Sequence, residues 1–497
     1  MSKSSFTRRS FLQTMGAAAA SFAMPSALSA NWATEQAGAQ GAGAKKPNIV
    51  FILVDDLGWT DAACFGSKYY DTPHIDRLAS GGMKFTNAYA ACAVCSPTRA
   101  AVLTGRYPVR TRVTDWLRNS QQGLKIPADK KNPTGFVGGK DKKLLTPTLP
   151  IWMEHEEVTI AEMLKEAGYA TCHVGKWHLG PGEWLPDGQG FDENIGGWDF
   201  GQPPSYFDPY ANRNVKSIPT LPPRKEGEYL TDREADEAAG FIKRNQDQPF
   251  FLYLANYAVH APIQGKPELI EKYKKRTPTN QDNPAYAAMV ESVDQAVGKV
   301  TGALDELGLS DNTIVIYTSD NGGATHFPAT DNAPLRKGKG FPYEGGIRVP
   351  AIVRWPGEVE PGSVCHEPMC SVDFLPTLGA AVGAKPSGRV IDGVDLAPAL
   401  RQTGSLNREA LYWHFPHYWW GTNVRPYSIV RAGDWKLIKH YEDSAIELYN
   451  LKEDISEKVE LSKQHPAKVK ELEKMLTAWL KETGAKLPKP NPDYDRR

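Results

Sequence analysis

The chain has 497 residues, more than one hydrophobic core usually holds, so we expect two domains. Basic and acidic residues balance at 58 each. This balance argues against a nucleic-acid-binding protein, because such proteins carry a strong basic excess.

The N-terminal residues indicate export. The run Thr-Arg-Arg-Ser-Phe-Leu at 7–12 resembles a twin-arginine signal, and an Ala-rich, weakly apolar run follows over 15–30. This run is short and its hydrophobicity comes mainly from Ala, which favours a cleaved signal over a membrane anchor. We therefore predict a signal peptide over 1–30, a flexible leader over 31–45, and a mature chain without an integral membrane segment. The twin-arginine machinery would deliver it to the bacterial periplasm or the medium.

From residue 46 onward the pattern is α/β. The continuous apolar, β-branched run at 48–54 predicts a strand that is covered on both faces. A capping box at Thr159 and Glu162 predicts the start of a helix that Gly168 ends. Further strands are predicted at 169–174, 249–255 and 313–317, and further helices at 73–81 and 289–307.

The pattern changes near Glu409. Alternating runs at 427–431, 435–440 and 446–451 predict a small antiparallel sheet, and an amphipathic helix follows over 467–483. We therefore predict an α/β fold, with a large, mainly parallel sheet flanked by helices over 46–402 and a smaller C-terminal α+β domain over 403–497. The aromatic run at 412–420 has two interpretations, stacking on sugar rings or packing between the domains.

Polar clusters follow the carboxyl ends of the predicted strands, where parallel sheets bind ligands. They are Asp55, Asp56, Lys176, His178, His260, Asp320 and Asn321. Considered separately, the adjacent aspartates would indicate a helix cap, and the Asp-Asn-Gly run would indicate a turn. Together they predict a hard, oxygen-rich metal site that suits Ca²⁺ or Mg²⁺ rather than zinc.

The run Cys95-Ser96-Pro97-Thr98-Arg99, continued by Thr-Gly-Arg at 104–106, is the most informative motif. Locally it predicts a short helix with Ser96 as its N-cap and Gly105 as its end. Taken alone, a Cys before a short helix is more often buried packing than chemistry. The full string, however, resembles the signature of the type I sulfatases, in which this Cys is oxidised to Cα-formylglycine.

That resemblance implies a fold like that of alkaline phosphatase and a hydrolase of sulfate esters. The hydrated aldehyde at residue 95 would attack sulfur through one hydroxyl, and sulfate would leave as the aldehyde re-forms. Arg99 would steady the hydrate. One Ca²⁺ would be held by Asp55, Asp56, Asp320, Asn321 and the modified residue 95. A formylglycine-generating enzyme is then a necessary partner.

The resemblance also assigns the groups that handle the substrate. Lys176 would bind sulfate, and His178 would take the proton of the second hydroxyl. His260, together with a Lys, would serve the leaving oxygen. Two lysines of the Gly-rich loop at 336–348 are candidates, and Lys339 has the family spacing before Glu-Gly-Gly whereas Lys337 is the weaker match. Asp320 would help to deprotonate the attacking hydroxyl.

Two other functions remain open at this point. One is a phosphoester or phosphonate hydrolase of the same superfamily, and the other is a catalytically dead glycan-binding protein. The substrate class is a sulfated sugar or an aryl sulfate. The segment from residue 110 to residue 143 contains nine basic and three acidic residues. It has two interpretations: a positively charged loop that attracts a polyanionic glycan, or a solvated insertion. Export would permit a disulfide between Cys365 and Cys370.

Overall fold

The computed structural model of the protein describes residues 45–118, 125–221, 225–326, 329–386, 388–419 and 422–495. The predicted signal peptide and nearly all of the predicted leader lie outside these residues. Contacts join Lys46–Arg497 into one compact unit, and the division at residue 402 stays a prediction. In the described ranges, every helix is too short or too polar to cross a bilayer.

The strands and helices are numbered in chain order within the described residues, and both types are interspersed up to residue 382. The strands are β1 Asn48–Val54, β2 Met83–Phe85, β3 Ala88–Tyr89, β4 Phe136–Val137, β5 Leu144–Pro147, β6 Ala170–Gly175, β7 Glu193–Ile195, β8 Phe250–Ala255, β9 Thr313–Ser319, β10 Ala351–Arg354, β11 Ser363–Cys365, β12 Met369–Cys370, β13 Leu411–Phe415, β14 Tyr427–Ala432, β15 Trp435–His440, β16 Ile446–Asn450 and β17 Lys489–Pro490. The helices are α1 Pro73–Ser80, α2 Cys95–Thr104, α3 Pro108–Thr111, α4 Ile160–Glu166, α5 Leu230–Arg244, α6 Pro267–Tyr273, α7 Pro284–Glu306, α8 Glu344–Ile347, α9 Phe374–Val382, α10 Ala397–Leu400 and α11 Pro466–Glu482.

The large sheet has eight strands in the order β11-β2-β10-β9-β1-β8-β6-β7. The run β9-β1-β8-β6-β7 is parallel throughout, while β10 is antiparallel to both of its neighbours. In the central register Ile52 pairs with Tyr317 on one side and Leu254 on the other. All seven residues of β1 are buried, as its continuous apolar run predicts.

Local signals explain where several helices begin. Helix α4 has the predicted capping box, in which the Thr159 hydroxyl accepts from the Glu162 amide and the Glu162 carboxylate accepts from Thr159. Helix α2 differs from the prediction, because it begins at Cys95 with Val94 as its N-cap. Ser96 does not cap this helix, since its hydroxyl instead donates to the His178 carbonyl and accepts from the Leu117 amide.

The C-terminal residues form a separate antiparallel sheet in the order β13-β14-β15-β16, as predicted. Helix α11 packs on this sheet through the buried Leu472 and Leu476. Most of the aromatic run contributes to packing. Trp413 and Phe415 are buried, and the Tyr412 ring stacks on the Trp479 ring with their centroids 4.9 Å apart. The fold class is therefore confirmed, a large, mainly parallel sheet with helices and a smaller antiparallel sheet with a helix.

Candidate active site

Two adjacent parallel strands place four polar residues at one edge of the large sheet. Asp55 and Asp56 come directly after strand β1, and Asp320 and Asn321 come directly after its neighbour β9. Ligand atoms of the three aspartates lie within 4.8 Å of one another, and all three side chains are buried. The Asp56 amide donates to Asp320 Oδ1 at 3.1 Å, and Asn321 Nδ2 donates to Asp56 Oδ1 at 2.8 Å. The parallel pairing of the two strands thus brings distant residues into one acidic cluster.

Two buried lysines balance this negative charge. Lys176 follows β6, and its Nζ lies 2.6 Å from Asp55 Oδ2. Lys339 lies in the Gly-rich loop, and its Nζ lies 2.6 Å from Asp56 Oδ1. Lys337, the other candidate in that loop, is exposed and its ammonium group lies 5.4 Å from the centroid of the Phe341 ring. The structure therefore brings Lys176 and Lys339 to the acidic cluster and leaves Lys337 outside it.

Arg99 bridges helix α2 and the cluster. Its Nε and Nη2 reach Asp320 Oδ2 at 2.9 and 2.8 Å, and its Nη1 donates to the Lys176 carbonyl at 2.9 Å. The side chain is buried, and Asp320 and Asp55 raise its pKa against the effect of burial. Arg99 is therefore a fixed cation that holds the start of α2 against the ends of β6 and β9.

Two histidines face the cluster in defined tautomers. His178 Nε2 donates to the Leu117 carbonyl at 2.7 Å, so Nδ1 presents its lone pair to Cys95 Sγ at 3.4 Å. His260 Nδ1 donates to the Ala261 carbonyl at 2.8 Å, and its Nε2 lies 3.6 Å from Asp56 Oδ2. Each ring thus keeps one unprotonated nitrogen at the centre of the site.

Burial keeps both imidazoles neutral. It lowers the pKa of His178 well below the usual value, and Lys176 lowers it further. Burial and Lys339 lower the pKa of His260 to about 3. Neutral His178 is able to accept a proton from a group at residue 95, and Lys339 is the protonated group beside His260.

The three aspartates differ in protonation because their neighbours differ. Burial raises the pKa of Asp55 well above its usual value, and repulsion by Asp320 adds to the effect. Burial would also raise the pKa of Asp56, but Lys339 and then His260 outweigh it and the pKa falls. Arg99 likewise holds the pKa of Asp320 below its usual value despite burial. The ionised form of Asp55 is therefore the least stable of the three, and it is the form that a bound cation would stabilise most.

The donor set fits a hard metal ion. Two buried oxygens of the cluster, Asp55 Oδ1 and Asn321 Oδ1, accept no hydrogen bond from the described residues. Unsatisfied buried oxygens are rare and call for a ligand. Carboxylate and amide oxygens are what Ca²⁺ or Mg²⁺ prefers, and the cluster contains no imidazole or thiolate that would select zinc.

Backbone strain occurs at two of these residues. Asp56 has φ 61° and His178 has φ 59°, values that residues with side chains adopt only rarely. Such strain persists when the surrounding contacts determine the geometry, and it concentrates at functional sites. At Asp56 these contacts are the hydrogen bond that its backbone amide donates to Asp320 and the ion pair with Lys339.

The Gly-rich loop is held against the site by close backbone contacts. The Gly340 amide donates to the Ala93 carbonyl at 2.7 Å, two residues before Cys95, and the Lys339 amide donates to the Gly323 carbonyl at 3.1 Å. A Cβ at Gly322 would lie 1.8 Å from the Gly345 carbonyl oxygen. This packing requires glycine, and it fixes the backbone from which Lys339 extends.

Cys95 lies at the centre of this arrangement and is 3% exposed. All six cysteines are free thiols, so Cys365 and Cys370 are not paired. Sequence reasoning did not identify Leu117, and it assigned Ser96 a capping role in place of the contacts with His178 and Leu117. A backbone amide and carbonyl such as those of Leu117 leave no signal in the sequence.

Comparisons with known proteins place the chain among characterised relatives. A family model described as sulfatase matches residues 47–384, and one described as N-sulphoglucosamine sulphohydrolase, C-terminal, matches 337–486. N-acetylgalactosamine-6-sulfatase of Canis lupus familiaris is 37% identical, with 78% of this chain and 74% of the relative covered. Arylsulfatase A of Homo sapiens is 36% identical, with 79% and 75% covered. The crystal structure of Ps i-CgsB in complex with k-i-k-neocarrahexaose has a TM-score of 0.73 and 31% identity, and covers 88% of this chain and 93% of that one.

Proposed function

The chain belongs to the sulfatase family, and from this premise we propose that it hydrolyses sulfate esters with a Cα-formylglycine formed from Cys95. The observation that carries the proposal is the position of Cys95. Its sulfur lies 3.4 Å from the unprotonated nitrogen of His178, in a helix whose Arg99 is bonded to Asp320. A nucleophile beside a base and a fixed cation is what displacement at an anionic ester requires.

The modification explains why a thiol is the precursor and not the nucleophile. A thiol that attacked sulfur would form a stable adduct with no easy route to hydrolysis, whereas the hydrated aldehyde supplies a hydroxyl to attack and a second hydroxyl whose loss of a proton releases sulfate. His178 is the group that takes this proton, because Nδ1 faces residue 95 and the ring is neutral. We assign help in removing the first proton to Asp320, which belongs to the same buried cluster and is paired with Arg99 of the helix that begins at residue 95.

The cations hold the sulfuryl group. Lys176 and Lys339 pair with Asp55 and Asp56, so they lie on two sides of the acidic cluster. Fixed positive groups in a buried site stabilise the charge that develops during cleavage without reorganising. Lys339 and His260 lie together at Asp56, where Lys339, the protonated group of the two, would donate a proton to the leaving oxygen.

A single Ca²⁺ is the metal that we propose for the acidic cluster. Asp55, Asp56, Asp320 and Asn321 would hold it together with residue 95, and two of their buried oxygens have no hydrogen-bond partner among the described residues. The ion would supply a fixed Lewis acid at the nucleophile. Chelation is expected to abolish activity, and Ca²⁺ is expected to restore it better than Mg²⁺.

The proposed substrates are sulfated sugars, with aryl sulfates as simpler alternatives. The names of two similar proteins refer to N-acetylgalactosamine 6-sulfate and to a neocarrahexaose, and both support a carbohydrate substrate. The N-terminal signal supports action in the periplasm or outside the cell, after export by the twin-arginine machinery. A formylglycine-generating enzyme completes the set of proposed partners.

Mass spectrometry and activity together test the proposal. The peptide that contains residue 95 should carry the aldehyde in active protein. Cys95→Ala should abolish release of sulfate while the thermal stability changes little, and Cys64→Ala, which alters a half-buried thiol elsewhere, should keep full activity. Full activity in Cys95→Ala, or an intact thiol in fully active material, would refute the formylglycine mechanism.

The same assay separates the two rival functions. A phosphoester or phosphonate hydrolase would release phosphate faster than sulfate from matched aryl esters. A second metal would require a further ligand cluster, and within the described ranges one cluster of three acidic ligands is found. A dead glycan-binding protein would bind sulfated glycans without ever releasing sulfate.

A further inference from the structure

Asp115 is a buried carboxyl group that the proposed reaction does not use. The residue is 6% exposed, and its Oδ1 accepts from the Trp116 amide at 2.8 Å. No cationic side chain of the described residues pairs with it. Buried carboxyl groups are almost always paired, so this one calls for a ligand.

The segment that carries Asp115 is fixed beside the reacting residue. The Leu117 amide donates to Ser96 Oγ at 3.0 Å, and the Leu117 carbonyl accepts from His178 at 2.7 Å. On the other side of Asp115, Thr114 Oγ1 lies 2.8 Å from His417 Nε2. Asp115 is therefore held rigidly between the catalytic helix and the C-terminal residues, close to residue 95.

Two aromatic rings lie beside the lysine that would handle the leaving group. Trp419 packs so closely on Gly340 that a Cβ there would lie 2.0 Å from the ring. The His326 ring contacts Trp419, with centroids 4.8 Å apart and planes at 77°. Lys339 and Asp56 both affect the pKa of His326, which burial lowers, so the pair borders the active site.

Hydrogen bonds of neighbouring residues connect Asp115 to this aromatic pair. Thr114, the residue before Asp115, is bonded to His417, two residues before Trp419, and the Tyr427 hydroxyl lies 3.5 Å from the Gly340 carbonyl. Asp115 and Trp419 thus belong to one neighbourhood around Gly340 and residue 95. An apolar ring face with one hydrogen-bond acceptor suits a pyranose, which has apolar C–H faces and hydroxyl groups at its edge.

We propose that Asp115, Trp419 and His326 form a binding subsite for the sugar ring that carries the sulfate ester. Asp115 accepts a hydrogen bond from a ring hydroxyl, and the aromatic pair covers one face of the ring. This inference rests on the proposed sulfatase function and deepens it, because it selects sulfated sugars over aryl sulfates. A site built to bind a hydroxyl discriminates strongly against a ligand that lacks it, since the buried acceptor is left unpaired.

The test compares two substrates in one series of variants. The probes are a panel of galactose and N-acetylgalactosamine sulfates and 4-nitrophenyl sulfate, which has no ring hydroxyl. Asp115→Asn retains the acceptor for the Trp116 amide and replaces the other oxygen with a donor. We expect kcat/KM for the preferred sugar sulfate to fall about 10- to 100-fold, mainly through KM, and at least ten times more than for 4-nitrophenyl sulfate.

Trp419→Phe provides an independent variant, because a smaller ring covers less of the sugar. It should raise KM for the sugar sulfate several-fold, with a smaller effect on the aryl sulfate. Asp129→Asn, an exposed carboxylate further along the chain, is the matched control and should leave both activities unchanged. Equal losses on both substrates would mean that Asp115 and Trp419 only support the fold, which overturns the inference.

The outcomes also separate this inference from the proposed function. If the wild-type protein cleaves 4-nitrophenyl sulfate but none of the sugar sulfates, the subsite is wrong and the sulfatase function stands. If the oxidised, Ca²⁺-loaded wild type releases sulfate from neither class, the proposed function itself fails.

Discussion

Lys337 and Lys339 are two residues apart in one loop, yet their surroundings differ completely. Lys339 is buried against Asp56, which raises its pKa against the effect of burial, whereas Lys337 is exposed. We expect Lys339→Met to lower kcat/KM for sulfate esters about 10²- to 10³-fold, because a fixed cation at the leaving oxygen is lost. Lys337→Met is the control and should change kcat/KM less than two-fold. Comparable losses in both variants would contradict the assignment of Lys339.

Gly322 and Gly302 provide a second matched pair at the level of single residues. A Cβ at Gly322 would lie 1.8 Å from the Gly345 carbonyl oxygen, whereas a Cβ at Gly302 meets open space on helix α7. Gly322→Ala should lower the melting temperature and impair catalysis, because the adjacent Asn321 would have to move. Gly302→Ala should stabilise the protein by about 0.5–1 kcal/mol, since Ala favours a helix over Gly. Thermal denaturation of both variants measures the difference.

Individual site residues are predictable from the sequence when they follow strands. Asp55, Asp320 and Lys176 were predicted because each comes directly after a buried apolar run, and parallel strands bring such residues to one edge. Asp115 and Trp419 could not be predicted in this way. They lie in loops whose paths depend on contacts with the rest of the molecule, and their spacing from Cys95 carries no information.

At the level of elements, the apolar runs predicted β1, β6, β8, β9 and the long helix to within about five residues, whereas the three-residue parallel strand β7 was not predicted. The antiparallel placement of β10 was not predicted, because a four-residue strand gives no sign of its direction. The start of α2 was placed two residues too late, since Val94 and not Ser96 is its N-cap. Ser96 has the chemistry of an N-cap, but its hydroxyl is used for tertiary contacts with His178 and Leu117. Tertiary contacts thus override a local capping preference.

Helix α1 begins on a carboxyl group that belongs to helix α7. Asp294 Oδ1 accepts from the His74 and Ile75 amides at 2.9 and 2.8 Å, and burial raises the pKa of Asp294 to about 7. In the unfolded chain this carboxyl ionises near its usual pKa of 3.8, while in the folded protein it stays protonated to about pH 7. Its contribution to the free energy of unfolding is therefore fully present below about pH 4 and is lost as the pH rises through 7.

Asp294→Asn tests this linkage, because the amide retains the acceptor and cannot ionise. Relative to the wild type, the variant should gain stability between pH 4 and pH 8, by on the order of a few kcal/mol. Urea denaturation at both ends of this range measures the gain. Glu306→Gln, at an exposed position of the same helix, is the control and should show no such trend. A stability difference that does not depend on pH would contradict a raised pKa at Asp294.

Across the whole molecule, a buried ion cluster connects the C-terminal sheet to the active-site loop. Lys436 on β15 is fully buried, and its Nζ lies 3.0 Å from Glu344 and 2.7 Å from Glu457. Glu457 in turn accepts from the Glu344 amide at 2.7 Å, five residues after Lys339. The smaller sheet therefore supports the loop that carries Lys339. This connection agrees with the single compact unit over Lys46–Arg497.

Lys436→Met should destabilise the protein by about 3–5 kcal/mol, because two buried carboxyl groups would lose their shared cation. Lys439→Met, on the same strand, removes a partly exposed salt bridge with Glu473 and should lower the free energy of unfolding by less than about 1 kcal/mol. Chemical denaturation of the two variants gives the comparison. Similar small losses in both would show that the cluster does not hold the two sheets together.

Under the proposed mechanism, the burial of Cys95 limits when residue 95 can be oxidised. The residue is 3% exposed and begins a helix whose ten residues are all buried. In the folded protein the thiol is therefore almost fully covered, and a second enzyme could not reach it. The proposal thus implies that the aldehyde forms before the chain folds, and that a molecule which folds with its thiol intact is inactive. The specific activity of a preparation then records how many chains were oxidised before they folded.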